Sequence, residues 1–155
     1  MNIIEVQRIC ATASQPSKEE LKSWVNAVLA NLDEECELVI RIVDETESAE
    51  LNEAYRHKKG ATNVLSFPFE KPEGIDLVLT LLGDLVICAP VLEREAAEQQ
   101  KPLHHHWAHI VIHGTLHLLG YDHIDDAEAE EMEAKEIALL HTLLIPNPYE
   151  DGADL

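Results

Sequence analysis

His113 and His117 stand four residues apart in an apolar run. In a helix that spacing puts two imidazoles one turn apart on the same face. Gly120 follows three positions later, where a left-handed residue would end the helix and reverse the chain. His123 is then able to fold back as a third nitrogen ligand. Neutral imidazole binds a divalent ion at about 2.0–2.1 Å, and three such ligands leave one position open, the pattern of a catalytic zinc site. An ion held in this way polarises an oxygen or lowers the pKa of a bound water toward about 7. Zinc is the expected ion, although imidazole also serves other divalent transition metals such as nickel and copper.

The string His113-Gly114-Thr115-Leu116-His117-Leu118-Leu119-Gly120-Tyr121-Asp122-His123 has the H-x3-H-x2-G-x2-H spacing of the metzincin zinc motif. It departs from that motif at Gly114, where those proteases carry a general-base glutamate. A peptidase would therefore lack its proton acceptor, while glycine would leave room beside the metal for a bulky group such as a phosphodiester. No other residue stands out as a general base.

A second cluster, Tyr55-Arg56-His57-Lys58-Lys59, holds three of the eleven lysines and arginines within four positions of a chain with formal charge −19. So acidic a protein repels nucleic acid and anionic membranes over most of its surface. An anionic substrate would seek this patch, and Arg56 is its best phosphate ligand because guanidinium offers a planar fork of donors. Taken alone, the same residues would simply complement a helix dipole. Around the metal string, Asp122 either orients a histidine or caps a turn. Gly83-Asp84 suggests a bulge, near the metal helix if its strand is the sheet's substrate-side edge. His109, one turn before His113, either supports a metal ligand from behind or, more simply, is a core histidine. His104 to His106 are expected to line an exposed helix start, and the acidic run from Asp125 to Glu136 to be a solvated face or a contact for a basic protein.

These groups need a scaffold. Ile3–Val6 suggests a first strand. Leu21, Trp24, Val25, Val28, Leu29 and Leu32 follow the i, i+3, i+4, i+7 rule of a helix capped near Ser17. Glu37–Val43 is β-branched and strand-like. Asp44 caps a helix over about Ser48–Arg56, with Leu51 and Tyr55 on one face. Asn63–Phe69 is extended, with Pro68 suited to an edge. Lys71-Pro72-Glu73-Gly74 is a turn, and Leu77–Cys88 a long strand interrupted at Gly83-Asp84. A polar helix runs from Pro90 to about Lys101. His104–Leu119 is apolar on most sides and so central, and an amphipathic helix covers about Asp126–Leu144. The predicted fold is α+β and zincin-like: a small mixed β-sheet packed with helices around a central buried metal-binding helix, in a single domain over residues 1–155. Cys10, Cys36 and Cys88 have no paired spacing and read as buried thiols in a reducing compartment. With no signal-peptide pattern at the start, a cytoplasmic location is expected.

The HGxLHLLGYDH string, the stretch Tyr55–Phe69 and the LLGDLVIC stretch Leu81–Cys88 resemble the YbeY family of bacterial endoribonucleases, with the likeness running from about Leu38 to Tyr149. The resemblance implies a metal-dependent, single-strand endoribonuclease in ribosomal RNA maturation, notably at the 3′ end of the small-subunit RNA, and in ribosome quality control. It implies His113, His117 and His123 as metal ligands and Arg56 as a functional arginine. The implied partners are single-stranded ribosomal RNA and the small ribosomal subunit, with ribosomal proteins (a basic one would fit the acidic run from Asp125 to Glu136) or an assembly GTPase as further candidates. The position after Arg56, often glycine in the family, is His57 here. Attack by water and by the ribose 2′-hydroxyl both remain open. Two rival readings are a zincin-like hydrolase of another bond, disfavoured by Gly114, and a non-catalytic ribosome-assembly factor with a structural metal, which the acidic charge suits.

Overall fold

The computed structural model describes residues 2–10, 14–30, 32, 35–69, 80–121 and 125–149. In chain order the elements are β1 (Ile3–Arg8), α1 (Lys18–Leu29), β2 (Cys36–Val43), α2 (Glu45–Arg56), β3 (Val64–Pro68), β4 (Thr80–Cys88), α3 (Ala89–Glu98), α4 (Leu103–Leu118) and α5 (Asp126–Thr142). The strands form one sheet in the order β1-β2-β4-β3, parallel except for the antiparallel β3–β4 pair. The sheet is thus mixed, as predicted, and β3 with its Pro68 is an edge strand. The predicted turn at 71–74 and the start of the predicted strand at 77 lie outside the described residues.

Local chemistry explains most of the boundaries. Ser17 and Glu20 close a reciprocal capping box on α1. The Asp44 carboxylate accepts from the Glu47 N–H at the start of α2, and Asp125 accepts from Glu128 at the start of α5. α2 ends on His57, whose φ of 57° is the left-handed conformation that favours glycine. α4 ends in a Schellman pattern: Tyr121 N–H donates to Leu116 C=O, Gly120 N–H donates to His117 C=O, and Gly120 has φ 103°.

Alternation along the strands divides the core. Leu38, Ile40 and Ile42 of β2 and Leu85 and Ile87 of β4 bury toward α1 and α4, with Trp107, Ile112 and Leu116. On the other face, Val43, Leu65, Val86 and Cys88 pack with Val91, Leu51 and Phe67. α4 lies on β3 and β4 and also packs against α1, α3 and α5, so it is central as expected. No helix among the described residues is long and apolar enough to cross a membrane.

Several expectations are corrected. α1 ends at Leu29 and Leu32 is exposed, beyond the reach of the apolar stripe. Tyr55 is 65% exposed, and the buried positions of α2 are Ser48 and Asn52. Their side chains bond the returning loop: Ser48 Oγ donates to Thr62 C=O, and Asn52 Nδ2 to Gly60 C=O. His106 is buried against Glu95 rather than exposed. Cys36 and Cys88 are buried, whereas Cys10 is only half-buried. The expected bulge exists, with Glu37 opposite Leu81 and Leu38 opposite Gly83, so that Leu82 is the extra residue. β4 is an interior strand, however, and its exposed Asp84, opposite Phe67, falls on the α2 face, away from α4.

Candidate metal centre

α4 brings His113 and His117 together as their spacing requires. Their Nε2 atoms are 3.2 Å apart and their ring centroids 4.7 Å. Two nitrogens bound tetrahedrally at about 2.0–2.1 Å from one ion stand roughly 3.3–3.4 Å apart. The pair, at hydrogen-bond distance, thus stands close to the separation that a shared zinc would require. His123 and Asp122 lie outside the described residues.

Ser66 Oγ donates to the Gly114 carbonyl at 3.2 Å, tying β3 to the helix beside His113. Gly114 itself is packed against the sheet. A Cβ there would lie 2.8 Å from Leu85 Cδ2 and 3.3 Å from Val64 Cγ2. The space expected for substrate is thus filled by Leu85 and Val64, and the missing side chain serves close helix–sheet approach.

Behind His113 stands a group that sequence reasoning placed on a solvated face. Glu136 of α5 is fully buried, in line with Met132 and Leu140. Its Oε1 accepts a hydrogen bond from His113 Nδ1, and its Oε2 accepts one from the Tyr149 hydroxyl. His109 Nε2 lies 3.5 Å from the same carboxylate and 3.3 Å from the Tyr149 hydroxyl. His109 is therefore part of this cluster and not merely a core residue. Burial would raise the Glu136 pKa, but hydrogen bonds from His109, His113 and Tyr149 outweigh it and hold the carboxyl at about 2. Burial, then the Glu136 charge, push the Tyr149 phenol well above its usual range, so it stays protonated and donates. Burial also lowers the His109 imidazole, more than Glu136 restores it. The sequence held one signal for Glu136: a carboxylate spaced four residues from both Met132 and Leu140 on a buried stripe.

His109, His113 and Glu136 bring one ligand atom each within 4.8 Å of one another and so form a possible ion site. With His113 Nδ1 hydrogen-bonded to Glu136, the gap between those two holds a proton, and the other ring nitrogen of His113, Nε2, faces His117 Nε2.

Arg56 is the last residue of α2, exposed, and its side chain makes no hydrogen bond or ion pair among the described residues. Among the described residues it makes no hydrogen bond to His113 or His117. A chain of contacts nevertheless connects the two regions around the sheet edge. The Tyr55 ring packs edge-on against Phe67 at 5.0 Å, Phe67 follows Ser66 in β3, and Ser66 bonds Gly114.

The family model described as Endoribonuclease YbeY matches residues 7–144. Endoribonuclease YbeY of Nitrosococcus oceani is 51% identical over 147 residues, spanning 95% of this chain and 96% of that one. The solution structure of TM1509 from Thermotoga maritima superimposes with a TM-score of 0.60 at 23% identity, covering 98% of both chains, a likeness of fold. With the histidine pair on its central helix and a family match over most of its length, this chain belongs to the YbeY family.

Proposed function

We propose that the chain is a metal-dependent, single-strand-specific endoribonuclease that matures ribosomal RNA, at the 3′ end of the small-subunit RNA, and acts in ribosome quality control. The observation that carries the reading is the 3.2 Å approach of His113 Nε2 and His117 Nε2 on a helix locked into the core. His113, His117 and His123 would hold one zinc ion in a zincin-like arrangement. Bound there, zinc would supply Lewis acidity toward a phosphoryl oxygen and favour ionisation of a water.

The chain's own residues do the rest. Arg56 neutralises charge growing on the phosphate, and Lys58 and Lys59 draw the strand to this part of an acidic surface. Tyr55, exposed and braced by Phe67, offers a face on which an unpaired base stacks, which suits single strands over duplex. RNA crossing the β3 edge would meet Tyr55 and Arg56 on one side and the histidines on the other. The proposed partners are ribosomal RNA in the small subunit, with ribosomal proteins or an assembly GTPase alongside, in the cytoplasm.

The formal charge of −19 favours a second reading, a non-catalytic assembly factor whose metal is structural. One experiment separates the two. Protein purified without a nickel column is analysed for metal and incubated with a single-stranded RNA, beside its His117→Ala variant. The proposal expects zinc and cleavage in the first and neither in the second. A zinc-loaded protein that leaves the RNA intact favours the assembly factor.

A further inference from the structure

Glu136 is costly where it stands. A charged carboxylate with no exposure, between Met132 and Leu140, occupies a position that leucine would fill without a desolvation penalty. Its two oxygens, however, face different neighbours. Oε1 takes the Nδ1 proton of His113, and Oε2 takes the Tyr149 hydroxyl proton. Tyr149 is itself held on several sides. Its N–H donates to Asn147 Oδ1 at 2.8 Å, Lys101 Nζ donates to the preceding Pro148 carbonyl at 3.2 Å, and its ring packs edge-on against His109 at 5.4 Å. The segment after α5 thus returns across α4 and fastens the carboxylate that α5 supplies.

We propose that Glu136, clamped by Tyr149, is a positioning residue for the metal centre: it fixes the tautomer and ring orientation of His113 so that Nε2 presents its lone pair beside Nε2 of His117. This rests on the reading of His113 as a metal ligand. An imidazole that gives its Nδ1 proton to a carboxylate has only Nε2 left as an electron-pair donor, and the negative charge behind the ring makes it a stronger one. Unaided, the ring would divide between two tautomers and turn about its side-chain bonds, and binding would have to pay for that ordering. Tyr149 prevents the carboxylate from rotating away, so its hydroxyl acts on the metal through two hydrogen bonds.

The test measures zinc affinity by chelator competition on metal-free protein. It is joined by long-range 1H–15N NMR of the histidine rings and by thermal melting without metal. Glu136→Gln keeps the shape and removes the charge. It should weaken zinc binding by about 10–100-fold, the usual effect of losing such an outer partner, and spread His113 over both tautomers. Tyr149→Phe leaves the fold intact and should weaken zinc in the same direction by a smaller factor, with His113 still mainly the Nδ1–H form. A purely structural role predicts a lower melting temperature with unchanged zinc affinity in the folded protein and a single His113 tautomer, and that outcome overturns the proposal. Should Glu136→Gln not fold, Tyr149→Phe decides, and unchanged or tighter zinc binding in it overturns the clamp. His117→Ala separates the levels. If it still binds zinc normally, the ligand reading has failed. If it loses zinc while Glu136→Gln does not, only the positioning role has failed.

Discussion

His113 and His117 project from a helix whose Ile112, Thr115 and Leu116 have no exposure at all, whereas Arg56 ends α2 in a turn where Tyr55 to Lys59 are all exposed. The histidines sit on a rigid support and His113 has its carboxylate in place before any ligand arrives. The arginine side chain makes no hydrogen bond or ion pair within the described residues and keeps its freedom. A metal centre needs the first kind of support because coordination tolerates only a few tenths of an ångström. A phosphate contact tolerates the second kind, since the anion itself orders the guanidinium on arrival. Changes in the two regions should therefore read out differently.

The largest effect is expected on α4. His113→Ala and His117→Ala should each lose zinc and, with it, RNA cleavage. Full metal occupancy in both, by elemental analysis, would break the comparison at its stronger side. Arg56→Ala comes next. It should keep zinc and melting temperature while lowering the cleavage rate by about 10²–10³, the usual loss of one transition-state donor. Arg56→Lys should recover part of that, keeping charge but not the fork. A loss of zinc or stability in Arg56→Ala would show that α2 is coupled to the metal centre after all.

Tyr55→Ala should weaken binding of single-stranded RNA by the worth of one stacked base, about 1–3 kcal/mol, with the single-turnover rate at saturation unchanged. Equal loss for duplex RNA would argue against stacking. Lys58→Ala and Lys59→Ala should have a modest effect on affinity, each reducing the salt slope of binding by about 0.7 for a single strand. Smallest of all, a 2′-deoxy substitution at the scissile nucleotide should leave cleavage intact if water is the nucleophile. Abolished cleavage would assign the attack to the ribose hydroxyl.

Much of this arrangement was legible in the chain itself, because it depends on local stereochemistry. The approach of His113 to His117 follows from the helical repeat. Gly120 at the end of α4 and Gly83 at the bulge occupy backbone conformations with φ of 103° and 134° that other residues rarely adopt. At Gly83 a Cβ would fall 2.1 Å from the Phe67 carbonyl oxygen. Ser17, Asp44 and the alternating apolar residues of β2 act over a few positions in the same way.

Other features depended on which distant surfaces meet. Glu136 reads as one more acid in an acidic run until α5 lays it against His113, and Tyr149, beyond the last helical pattern, carries no local signal of the carboxylate it reaches. His106 looks solvated until α3 brings Glu95 to it. Gly114 looks like room for substrate until Leu85 and Val64 fill the space. Sequence alone therefore determined the family, the elements and the register of the histidine pair. Tertiary packing decided what stands behind that pair and on which side of the sheet Arg56 lies. Periodicity ranks each side chain as facing in or out within its own element, but a buried polar group is stable only where another element supplies its hydrogen-bond partners.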